Sequence, residues 1–69
     1  MVTENEMTRD RWLRLCTQRL IDKGGLDYPA AAACAAECAQ HQKDMHGRKP
    51  ADWGRPTAAA DEEMSYWTE

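Results

Sequence analysis

Phenylalanine is missing from this chain of 69 residues, and large aliphatic side chains are few: Val2, Leu13, Leu15, Leu20, Ile21 and Leu26. A thick hydrophobic core is therefore excluded. Cores of domains this small rarely supply more than ~3–5 kcal/mol. The 42% hydrophobic content comes largely from alanine, which favours helix but buries little area per residue. Three tryptophans and four methionines must carry much of the packing, and the shortfall predicts a homodimer or a bound partner.

Other absences exclude other classes. No apolar run approaches the ~18–20 residues of a membrane span, so no membrane association is expected. Met1 to Met7 holds two glutamates and no apolar stretch, which does not read as a secretory signal. Three cysteines, Cys16, Cys34 and Cys38, are an odd number without a disulfide-framework pattern and point to a reducing cytoplasm. Nor is there a basic excess. The net charge is −3 and the pI about 5.3, whereas nucleic-acid binders draw much of their affinity from a basic face. The imbalance lies in residues 36–69, with seven acids against four bases; residues 1–35 balance five against five.

What is present is helical. Residues 1–7 are polar and read as a flexible N-terminus, leaving 8–69 as a single helical domain. Thr8 suits an N-cap, and Trp12, Leu13, Cys16 and Leu20 recur at helical spacing until Gly24-Gly25. Asp27 and Pro29 open a second helix that runs to His46 and is closed by Gly47. Arg48 to Pro56 is a connector with two prolines and an isolated Trp53. A third helix begins at Pro56 or Thr57 and ends near Trp67. The expected fold is all-α: a helical hairpin plus a short C-terminal helix, three helices in all.

Four constellations invite a functional reading. Cys34, Cys38 and His41 share one helical face, with Cys16 available from the first helix. Zinc takes four such ligands in tetrahedral geometry, so one reading is a zinc-stabilised structural module. The simpler reading, preferred here, has buried cysteines at a helix crossing and no cofactor. Catalysis is not expected: a cysteine nucleophile needs a base and an oxyanion site, and neither a glycine-rich loop nor a pocket-forming length is present. Trp53, Tyr66 and Trp67 form the second set. Trp12 and Trp67 are read as core, Trp53 and Tyr66 as candidates for partner contact. The acids Asp61, Glu62 and Glu63 lie in the early turns of the third helix and complete the expected contact surface with Trp53 and Tyr66. Last, Arg9, Arg11, Arg14, Arg19 and Lys23 are interleaved with acids, giving a solvated face. They could alternatively meet the acidic third helix of a second copy, or touch DNA as a small regulator does.

The segment 58–67, Ala-Ala-Ala-Asp-Glu-Glu-Met-Ser-Tyr-Trp, resembles the ending of small uncharacterised accessory proteins of tailed bacteriophages and prophages. Those also begin with an amphipathic helix, a glycine turn and an alanine-rich second helix, as Trp12 to Ala39 does here. The resemblance implies context and transfers no site residue: a viral protein in the host cytoplasm that binds a host or defence protein stoichiometrically, as anti-CRISPR inhibitors do.

Overall fold

A computed structural model describes residues 7–67. The expected N-terminal segment therefore lies outside the described residues, apart from Met7. Three helices follow in order: α1 (Arg9–Gly24), α2 (Tyr28–His46) and α3 (Pro56–Ser65), with one 3₁₀ turn over Pro50–Asp52 before α3. Among the described residues there is no strand, and no helix is long and apolar enough to cross a membrane.

Local chemistry sets the ends of the first two helices. The Thr8 hydroxyl accepts from the Arg11 amide at 3.1 Å, and the Asp27 carboxylate accepts from the Ala30 amide at 3.0 Å. Each bond satisfies a first-turn donor that has no partner within its own helix. α1 stops at Gly25, whose φ of 74° is left-handed, a conformation that glycine adopts without a Cβ clash. The C-terminal end of α3 falls short of expectation. It closes at Ser65, and the Tyr66 and Trp67 amides turn back to the Glu63 and Met64 carbonyls.

The core is built on α1. Trp12, Cys16 and Leu20, at i, i+4 and i+8, are fully buried. α2 answers with Ala31, Ala35, Cys38 and Ala39, and α3 with Pro56, Ala59 and Ala60. Helices α2 and α3 each pack against α1 and barely meet one another. Their small side chains let two helices approach one central helix that carries the bulk.

Two expectations about tryptophan are corrected. Trp53, read as a candidate for partner contact, is only 8% exposed. Its ring meets Trp12 edge to face, with centroids 5.3 Å apart and planes at 88°. Its indole N–H donates to the Gly47 carbonyl at 2.7 Å, while that of Trp12 donates to the Gly54 carbonyl at 2.8 Å. In a core without phenylalanine the connector's ring covers Trp12 at that end of α1, with Met7 packed beside them. Trp67, read as core, remains 44% exposed. The early end of α3 leaves it on the surface beside Gly24, where its ring and Met64 occupy the space a Cβ would need.

Candidate functional site

A groove of about 520 Å³ lies between α2 and α3, which barely meet one another. One wall is the α2 stripe Glu37, His41 and Met45, spaced i, i+4 and i+8, with Gln42 and His46 beside it. The facing wall is Ala59, Glu62, Glu63 and Tyr66; Cys38 and Gly54 complete the lining. Three carboxylates line the groove, with no lysine or arginine among the lining residues. Met45 and Tyr66 are both 62% exposed, so the groove carries two large, partly apolar side chains in water. His41 and His46 add ring nitrogens that donate or accept hydrogen bonds.

Of the five residues expected to contact a partner, the groove gathers Glu62, Glu63 and Tyr66. Trp53 is withdrawn into the core. Asp61 faces the other way and is engaged within the chain: the Arg19 guanidinium donates to both its oxygens at 2.8 and 2.9 Å. That bidentate pair holds the Asp61 carboxyl below its ordinary range, first through the hydrogen bond, and raises Arg19 reciprocally. Through Arg19, the basic face of α1 meets the acidic third helix of its own chain, where a solvated face was the expectation and the third helix of a second copy the alternative. Reading the sequence missed Glu37, Met45 and His46. Their signal was present as the 3.6-residue spacing of Glu37, His41 and Met45 on an otherwise alanine-rich helix.

The cysteines come together, but not with the histidine as a ligand set. Cys16 and Cys38 are buried, Cys34 is half-buried, and all three are free thiols. Cys38 lies near enough to act on the ionisation of both Cys16, across the α1–α2 interface, and Cys34, along α2. His41 is exposed on the groove wall. Among the described residues no group of three or more His, Cys, Asp or Glu is arranged to hold a metal ion, so the donors of the zinc reading do not converge. In the Cys16–Cys38 pair, the hydrogen bond from Cys38 lowers the first ionisation at Cys16, and the same bond together with burial raises Cys38 strongly. Burial, then Cys38 and Glu63, push Cys34 up to about 11. Activated cysteine nucleophiles sit beside cations that lower their pKa; Cys34 and Cys38 have the opposite surroundings.

A stability prediction follows from these thiols. Unfolded thiols ionise near the ordinary 9.0, whereas Cys34 in the fold holds its proton to about 11. A pKa raised in the folded state favours folding below the unfolded value, and that contribution is lost as pH rises through the folded one. Chemical denaturation should therefore show stability falling between pH 9 and about 11. Replacing Cys34 and Cys38 with alanine should flatten that slope; an unchanged slope would rule the thiols out as its source.

No known protein family, curated protein or solved structure matches this chain.

Proposed function

We propose that this chain is a non-enzymatic binding module that seats a basic segment of a partner protein in the groove between α2 and α3. The observation carrying this reading is the groove's composition: Glu37, Glu62 and Glu63 without a lysine or arginine, alongside exposed Met45 and Tyr66. Carboxylates of one sign attract and orient a cationic segment. A tyrosine and a methionine supply adaptable apolar contact, and tyrosine is enriched among residues that dominate binding energy. The resemblance of residues 58–67 to phage and prophage accessory proteins supports a host or defence protein as the owner of that segment. On this reading the chain inhibits or redirects its target by stoichiometric occupancy, in the cytoplasm of the host cell.

The test is a pull-down from bacterial host lysate with the wild type and with a Glu62→Lys/Glu63→Lys/Tyr66→Ala variant. All three positions lie outside the buried core, so helicity by circular dichroism should be retained. A partner held by the wild type should be lost by the variant and weakened by salt, since exposed charges are screened beyond ~10 Å at about 0.1 M. For Tyr66→Ala alone, the loss expected of a central anchor is ~2 kcal/mol, about 30-fold in Kd. A partner retained by the triple variant would exclude the groove.

A further inference from the structure

A second surface lies on the opposite side of the hairpin. Asp10, Leu13, Arg14 and Thr17 fall at i, i+3, i+4 and i+7 on α1, one helical face, and Tyr28, Ala32 and Ala36 repeat at i, i+4 and i+8 on α2. Together they line a shallow groove of about 370 Å³. Tyr28 is 69% exposed, a large ring held in solvent at the start of a helix.

This surface is complementary to itself in charge. The exposed Tyr28 ring stands beside Ala32 and Ala36, and Leu13, packed against the core, completes the apolar floor between them. Asp10 and Arg14 flank Leu13 with opposite charges. Neither makes an ion pair or side-chain hydrogen bond among the described residues, whereas Arg19 on the same helix has found Asp61. Two opposite charges one turn apart suit a two-fold interface, in which residue i of one copy meets residue j of the other and j meets i.

We infer that this face is the contact between two copies of the chain, packed about a two-fold axis. Each Asp10 meets the other copy's Arg14, and the apolar floors of the two copies face one another. The inference is independent of the groove between α2 and α3, which lies across the hairpin and stays open in such a dimer.

The experiment uses the purified chain alone, by native mass spectrometry and sedimentation equilibrium. The wild type is expected to be a dimer. Asp10→Arg sets two like-charged pairs against each other by symmetry, as does Arg14→Asp, and each variant alone should dimerise at least ~10-fold more weakly. Both positions are exposed, and circular dichroism checks that each variant folds. Mixing the two variants restores both opposite-charge pairs, so the mixed dimer should dominate, and the double variant should again pair with itself. A wild type that stays monomeric would overturn the proposal. So would a dimer that each single reversal leaves intact, or a mixture with no preference for the mixed species.

Discussion

Trp53→Ala should unfold a large fraction of the molecules, because truncating a buried tryptophan costs about 3–5 kcal/mol and a core this small supplies about that much in total. Trp53 is 8% exposed and packs edge to face on the fully buried Trp12. Removing it would strip one face of Trp12 and free the connector from Gly47 to Arg55, whose hydrogen bonds to both indoles hold it against the helices. The Gly54 amide, which donates to Gln42 at 2.9 Å, would lose its fixed position as well. Trp53→Phe keeps a ring in place but loses the indole donor to Gly47 and part of the packed volume, so its effect should be intermediate, about 1–3 kcal/mol. Tyr66→Ala, on the exposed groove wall, should stay within about 0.5 kcal/mol. Urea denaturation of the three variants would decide the matter: equal, small effects for Trp53→Ala and Tyr66→Ala would return Trp53 to the surface.

The second large effect is expected from adding atoms. Ala35 is fully buried where α2 meets α1, and alanine is what allows that approach. Ala35→Leu would place an isobutyl group against α1, and overpacking of a filled interface typically costs about 1–3 kcal/mol. Neither helix can move away freely, since α1 is also packed against α3. Ala33→Leu makes the same chemical change at an exposed position of the same helix and should be near neutral, leucine and alanine both being good helix formers. Thermal melts should separate the two variants by several degrees, as ~1 kcal/mol shifts the midpoint of a domain this size by about 4–8 °C. Equal midpoints would show that the alanine face is not a packed interface.

The two variants also mark how far the sequence could be read. The alanine face of α2 was legible, because ten residues from Ala30 to Ala39 include one charge and such a helix must cover that face with something. Trp53 was not. It stands alone among Pro50, Gly54 and Pro56, outside any periodic pattern, so nothing near it in sequence says whether it turns inward. The expected contact surface was divided in the same way. Glu62, Glu63 and Tyr66 share the groove, whereas Asp61, their neighbour in the chain, is turned through the helical step toward Arg19.

The sequence by itself determined the three helices and most of their ends. The groups that set those ends are close along the chain: Thr8 with Arg11, Asp27 with Ala30, Gly25 with Ile21. Such contacts form whenever the local backbone turns helical, whatever the rest of the chain does. Tertiary structure alone decided that Trp53 fills the core, that Arg19 pairs with Asp61, and that Glu37, His41 and Met45 face Glu62, Glu63 and Tyr66. Trp12 is hydrogen-bonded to Gly54, and Arg19 to Asp61, across 42 positions in the chain. No local preference encodes a pairing over that distance. It is selected when the helices close on one another and the few large side chains compete for the only space that can bury them.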